Sequence, residues 1–292
     1  MIEKIVEAER IKEANRIIFD RNSRTYSKKR RIRFDRKTSL RLIHRYEDAM
    51  GKGFQPVDRF LDIGCGDGLI LLNLTSLGFI SGAYGIDLSF GMLKECKNNA
   101  NNLGTDVFLA QGDVEYLPFK SNNFDLIIGH AILHHVPDIK MVFSEVYRLL
   151  KPKGICIFTE PTRIGSRIIA SMLWIVWFIP MLVRRLTKTQ MEKLVEINVF
   201  KPQELEKEAR GAGFLSVYTK PFAGFISRIL YWTLDPISQR TSSRYYHLLM
   251  SKIMDILFIF DNQILRFFIP KGWFDEVLIF LQKGPSSSTY TS

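Results

Sequence analysis

Apolar positions change their spacing along the chain, and those changes divide it into elements. Over residues 3–19, Ile5, Ala8, Ile11, Ile18 and Phe19 recur at helical spacing among charged neighbours, which predicts an amphipathic helix; a second is predicted over 39–50. From 59 the pattern shortens. Residues 59–63 form an apolar run ending in a glycine cluster, as a buried parallel strand would. Helix 69–77, strand 83–87, helix 90–101 with Ser89 as its N-cap, strands 107–110 and 124–129, helix 141–150 and strand 154–159 follow. Such alternation predicts right-handed βαβ units, hence a parallel sheet with helices on both faces.

Past residue 160 the rhythm breaks. Residues 168–183 carry no charge, lie between Arg167 and Arg184-Arg185, and contain Trp174, Trp177, Phe178 and Pro180. They are fewer than the roughly 20 apolar residues that span a bilayer, so they predict a lid over a site or a segment lying in a membrane interface. A helix over 203–212, a strand over 214–219, an aromatic-rich helical stretch over 222–270 and a last strand over 276–281 complete the pattern. The expectation is an α/β fold: a Rossmann-like, doubly wound, mostly parallel seven-stranded sheet with N-terminal helices and helical inserts after strands five and six. Residues 1–50 form a basic helical segment, 51–284 the main domain with inserts at about 161–200 and 222–272, and 285–292 a Ser/Thr-rich disordered tail.

Composition sharpens this in three ways. At 292 residues and 46% hydrophobic, the chain can bury a sizeable core. Cys65, Cys96 and Cys156 stand far apart, which excludes a disulfide framework or a CxxC metal site and suits a reducing cytoplasm. No secretory leader is visible, because Glu3, Lys4, Glu7 and Glu9 break the first apolar stretch; the expected location is cytoplasmic or peripheral to the inner face of the membrane. Of the net charge of +11, residues 1–56 hold +8, with 16 Lys/Arg against 8 Asp/Glu, densest at Lys28-Lys29-Arg30-Arg31. Such a block is a solvated helix face, a contact for an anionic membrane surface or a phosphate-binding patch. Nucleic acid is the least favoured partner, since the basic residues are not interleaved with aromatics and no RNA-binding module is recognisable.

The strongest chemical signal is Asp62-Ile63-Gly64-Cys65-Gly66-Asp67-Gly68, directly after a predicted strand and before a helix. Glycines let the backbone turn tightly and approach a ligand. Alone this signal is weak, because dinucleotide-binding folds use a similar turn. Asp87 at the end of the second strand and Asp113 at the end of the third add to it. Carboxylates at the carboxyl ends of neighbouring parallel strands sit where open α/β sheets bind ligands, and can accept from ribose hydroxyls and an adenine amino group.

With 60–68, Gly85-Ile86-Asp87-Leu88-Ser89, Gly112-Asp113-Val114-Glu115-Tyr116-Leu117-Pro118-Phe119 and Leu150-Lys151-Pro152-Lys153-Gly154 in view, the chain resembles the class I S-adenosylmethionine-dependent methyltransferases. It is most similar to the subgroup that includes the ubiquinone- and menaquinone-biosynthesis enzymes. The resemblance implies S-adenosyl-L-methionine as cofactor and a role for each matching position. Gly64, Cys65, Gly66 and Gly68 would line the methionine part and ribose, and Asp62 would orient the amino group. Asp87 would hold the ribose hydroxyls and Leu88 would pack on adenine. Asp113 and the Val114 backbone would read the adenine edge, and His130 would lie near the methionine end. Phe19-Asp20-Arg21-Asn22-Ser23-Arg24-Thr25-Tyr26 resembles the subgroup's N-terminal element, in which the tyrosine closes over the cofactor; Tyr26 is either such a contact or a partly buried helix tyrosine.

Methyl transfer from a sulfonium is an in-line displacement in which the protein mainly positions the reactants. A general base is needed only where the acceptor must lose a proton. His134 and His135, after strand four, are candidates for that base or for loop structure. No metal site is expected. The apolar inserts predict a small, apolar or lipid-like acceptor. An RNA or protein methyltransferase using the basic N-terminus is the second reading, and a non-catalytic cofactor-binding, membrane-associated partner protein the third. The sequence leaves acceptor identity, methylated atom and oligomeric state open.

Overall fold

The computed structural model describes residues 2–30, 33–51, 53–162, 200–221, 226–227, 230, 243–274 and 276–285. The uncharged run 168–183, the greater part of 222–242 and the tail from 286 lie outside these residues.

Helices α1 (Ile2–Arg30) and α2 (Arg36–Met50) precede the sheet. Then come β1 (Val57–Ile63), α3 (Leu69–Thr75), β2 (Ile80–Asp87), α4 (Phe90–Leu103), β3 (Phe108–Gln111), β4 (Phe124–His130), α5 (Ile139–Leu149) and β5 (Leu150–Pro161). After the break come α6 (Pro202–Gly211), β6 (Ser216–Pro221), α7 (Arg244–Gln263) and β7 (Glu276–Gln282). The seven strands form one sheet in the order β3-β2-β1-β4-β5-β7-β6. All neighbours from β3 to β5 are parallel, and β7 is inserted antiparallel between β5 and β6. The fold is the Rossmann-like, doubly wound, mostly parallel seven-stranded sheet expected. The switch between β1 and β4 puts the carboxyl ends of β1, β2 and β4 around one crevice.

Both faces of the sheet are covered. On one, α5 presents Val142, Phe143, Val146 and Leu149, all fully buried against Phe158 and Leu281 together with Leu205 and Ala209 of α6. Their i, i+1, i+4, i+7 spacing is the apolar stripe of a helix, and each such burial contributes about 2 kcal/mol. On the other face, Tyr46 of α2, Leu71, Leu72 and Leu74 of α3, and Cys96 and Ala100 of α4 pack on Phe60, Ile128 and Ile157.

Several boundaries differ from the sequence expectation, each for a tertiary reason. Helix α1 runs to Arg30 rather than 19. Residues 20–30 carry no apolar stripe, and contacts with α4 and the glycine turn order them instead. Strand β2 begins at Ile80 because it pairs from there with Val57. Strand β5 begins at Leu150, which already pairs with Phe124 of β4; a register shift accommodates the Lys-Pro-Lys-Gly stretch, and pairing with β7 starts at Ile155. Asp113 lies two residues beyond the end of β3 at Gln111, not on the strand.

Candidate functional site

Gly64, Gly66 and Gly68 all have positive φ, at 67°, 55° and 93°, so the chain after β1 coils tightly before α3 begins. Gly68 is the N-cap of α3 and has no side chain to serve the free N–H groups there. Asp62 of β1 supplies that function: its Oδ2 accepts from Leu71 N at 3.0 Å. Burial pushes the Asp62 carboxyl well above the usual carboxylate range, opposed by the Leu71 N–H and reinforced by Asp87 and Asp67. Asp62 thus lies beneath the turn, 1% exposed, and braces it from within.

Asp87 faces the turn from β2. Its Oδ2 accepts from Gly66 N at 2.8 Å and its Oδ1 from Ser89 N at 2.9 Å. Burial raises its pKa to about 6, against those two N–H groups and with Asp20 and Asp67 adding to the rise. Each oxygen, with one N–H bound, retains acceptor capacity for a hydroxyl. A Cβ built on Gly66 would meet only the Met92 methyl, at 3.2 Å. The backbone is therefore approachable beside a fixed two-oxygen acceptor, and this arrangement fits the ribose of a nucleoside cofactor.

The other expected residues divide into two groups. Half-buried Leu88 follows Asp87, and its carbonyl accepts from Gln111 Nε2 at 3.1 Å. His130 ends β4, in register with Thr159. Half-buried Tyr26 on α1 sets its ring edge-on to Phe19, with centroids 6.1 Å apart. By contrast, the Cys65 thiol turns into the core beside Cys96, and its pKa rises through contact with Cys96 and burial. The Val114 side chain also belongs to the core, which leaves its backbone as the part able to face a ligand. Asp113 is held by Lys12, whose Nζ lies 2.6 Å from Asp113 Oδ2 and 2.6 Å from Glu115 Oε2. Burial pulls the Lys12 ammonium down, but hydrogen bonds and charge from the two carboxylates outweigh it, so its pKa is raised.

The two candidate histidines are built into structure. His134 Nδ1 lies 2.8 Å from Glu160 Oε2, and Glu160 Oε1 accepts from Ile132 N and Leu133 N at 2.9 and 2.8 Å. The carbonyl of His135 accepts from Asn15 Nδ2 at 3.1 Å, and its ring meets Phe19 edge-on at 5.3 Å. Sequence reasoning missed Glu160, although an acid at the carboxyl end of β5 is the same signal that singled out Asp87.

It also missed how far α1 reaches. This helix crosses the carboxyl ends of the strands and touches four loops there. Lys12 meets the β3 end, Asn15 the β4 end and Ser27 Asp67 of the glycine turn. Asp20 Oδ1 accepts from Ser89 Oγ at 2.6 Å and Gly91 N at 2.8 Å, at the start of α4. The sequence marked Asp20 only as part of an N-terminal motif.

A separate cavity of about 360 Å³ lies beside the carboxyl end of β5, lined among others by Phe200, Lys201, Glu206, Lys271 and Trp273. There Phe200 bridges Thr162, just past β5. The glycine turn and this cavity stand on opposite sides of β4 and β5 in the sheet order.

The family model described as a methyltransferase domain matches residues 61–158, which hold the turn, Asp87, Asp113 and both histidines. A demethylmenaquinone methyltransferase of Geobacillus kaustophilus is 34% identical over 207 residues, covering 65% of this chain and 86% of that protein. One of Symbiobacterium thermophilum is 30% identical over 177 residues, covering 56% of this chain and 70% of that protein. The solved phosphoethanolamine N-methyltransferase 2 of Haemonchus contortus superposes with a TM-score of 0.53 at 21% identity, over 86% of this chain and 53% of that one. This chain therefore spans about half of that structure, and the likeness is one of fold. Strand order, glycine turn and relatives together define the class: the chain belongs to the class I S-adenosylmethionine-dependent methyltransferases. Within that class it falls near the quinone-biosynthesis subgroup.

Proposed function

We propose that the protein transfers a methyl group to a small, apolar, quinone-like acceptor. The observation that carries the donor half of this reading is the Asp87 carboxylate, fixed 2.8 Å from Gly66 N beside an open glycine backbone. In this reading Asp87 holds the ribose hydroxyls. The Gly64–Gly68 turn runs along the ribose and methionine part, braced by Asp62. Leu88 packs on adenine, with Asp113 and the Val114 backbone at its edge, Tyr26 closes over it, and His130 lies near the methionine end. Bound S-adenosylmethionine supplies an electrophilic methyl group on a sulfonium.

The chain's own residues bind, orient and shield. Helix α1 covers the crevice through Asn15, Asp20 and Ser27, keeping water from the reacting centre. Glu160 holds the 132–134 turn against β5 and, by accepting at Nδ1 of His134, favours the tautomer with its proton there, which leaves Nε2 as the nitrogen able to take a proton from an acceptor. The acceptor assignment is supported by the names of the relatives and by the apolar composition of 162–275.

Two measurements test the reading. Calorimetry with S-adenosylhomocysteine should show binding that Asp87→Ala weakens at least tenfold. Transfer of a labelled methyl group to a demethylated naphthoquinone in detergent should then depend on the same residue. Donor binding without transfer to any quinone would overturn the acceptor, and absence of donor binding would overturn the whole reading.

A further inference from the structure

The outward face of α7 is apolar where a water-facing helix should be polar. Tyr245, Leu249, Ile256, Ile259 and Phe260 recur at helical spacing and are all exposed, Ile256 by 66%. A single cation, Lys252, interrupts them. Beyond the helix the chain makes a short elbow of two 3-10 turns, Leu265–Phe267 and Lys271–Trp273. On it Phe268 is 79% exposed, with Ile264 and Trp273 also at the surface. Scattered surface apolar residues are ordinary, but a continuous stripe leading into an exposed aromatic elbow marks an interaction surface.

The helix is anchored by its polar residue. Asp261, fully buried, accepts from Ile226 N at 3.0 Å, Ser227 N at 2.8 Å and Ser227 Oγ at 2.6 Å. With the carboxylate committed inward, the apolar stripe stays outward. Charge then selects the partner. Residues 243–274 carry four Lys/Arg against two Asp, one of them Asp261, in a chain of net charge +11. Lys252 is exposed beside the apolar surface, where its long stem can lie along apolar groups while the ammonium reaches outward to anionic headgroups; Lys271 Nζ instead donates to Thr219 O at 2.9 Å. Among the described residues no helix is long and apolar enough to cross a membrane, so the fit is to a bilayer surface. The elbow also continues into the cavity beside β5, since Lys271 and Trp273 belong to both.

We infer that α7 and the 264–273 elbow form a docking face for an anionic lipid bilayer, which brings the mouth of the β5-side cavity to the membrane surface. The acceptor reading gives this face its use, but docking itself needs no methyl transfer, so the two can fail separately. The test is flotation of the full chain with phosphatidylglycerol/phosphatidylcholine vesicles, beside pure phosphatidylcholine vesicles. The wild type should float with the anionic vesicles only. Ile256→Ser/Phe268→Ser should lower its partitioning at least tenfold, and Lys252→Glu should lower it less, while S-adenosylhomocysteine affinity stays unchanged in both. Three results would overturn the inference: no flotation of the wild type, equal flotation with neutral vesicles, or equal flotation of the double variant. Light scattering that shows a wild-type dimer made monomeric by the double variant, with vesicle binding unaltered, would assign the face to a second copy of the chain instead.

Discussion

His134 Nδ1 lies 2.8 Å from Oε2 of Glu160, a side chain with no exposed surface. Glu160 also accepts from the backbone N–H groups of Ile132 and Leu133, so one carboxylate organises the whole turn after β4. A buried acid with this many donors is costly to replace by a group that brings donors of its own.

Glu160→Gln should therefore destabilise the fold by about 2–3 kcal/mol, since its amide NH2 would face an N–H. His134→Gln keeps a polar side chain in place and should cost about 1 kcal/mol. Urea unfolding measures both. A role in taking the acceptor's proton predicts that His134→Gln lowers kcat roughly tenfold or more with S-adenosylhomocysteine affinity unchanged, whereas a purely structural role leaves kcat of the folded protein unchanged.

Asp87 gives a second pH signature. Its folded pKa of about 6 is raised above the ordinary 3.8, so the folded, donor-free protein holds more protons than the unfolded chain between those values. Stability contributed by this group is present at low pH and falls as pH rises through that window. Ribose hydroxyls donate to the ionised form, so binding has the opposite slope. The dissociation constant of S-adenosylhomocysteine should be flat above about pH 6 and rise roughly tenfold per unit below it, with proton release on binding near pH 6. Calorimetry in buffers of different ionisation enthalpy reads both.

Lys12 ties α1 to two carboxylates, and its side chain is only 12% exposed. Lys12→Met removes the cation and leaves Glu115 buried with its Oε2 unmatched. The loss should be about 2–3 kcal/mol in urea unfolding and nearly constant from pH 6 to 9, because the raised lysine stays protonated throughout.

Gly91 lets α1 and α4 touch. A Cβ there would stand 2.9 Å from Ser23 Oγ and 3.1 Å from the Asp20 Cα, and the second of these is backbone that cannot move alone. Gly91→Ala should loosen α1, seen as faster proteolysis within residues 10–30 and weaker S-adenosylhomocysteine binding. Gly211→Ala, where nothing lies within 4 Å of the new methyl, should leave both unchanged.

How much was legible in the sequence follows from the range of the forces involved. The β1–β5 half was readable because each element there carries its own signal: apolar runs ending in glycine, Ser89 as the cap of α4, and acids at strand ends. The roles of Lys12, Asp20 and Glu160 were not, because each is defined by a partner far along the chain: Asp113 for Lys12, Gly91 for Asp20, Ile132 for Glu160. Asp113 was read as a strand-end acid open to a ligand, and the structure shows it paired with Lys12 of a helix that the sequence predicted without assigning it that partner. The insertion of β7 between β5 and β6 is likewise a tertiary fact, since the continuous apolar run 277–281 marks a strand buried on both faces but not which strands flank it.

Pro161 and Glu276 stand opposite each other where β5 meets β7. The chain therefore leaves β5 and re-enters at β7 through a single doorway, and among the described residues β1 to β4 pair with nothing between 162 and 275. The stretch is no loose appendage, since its α6 joins the core and its β6 completes the far edge of the sheet, yet the donor-handling strands keep their partnerships whatever sequence it carries.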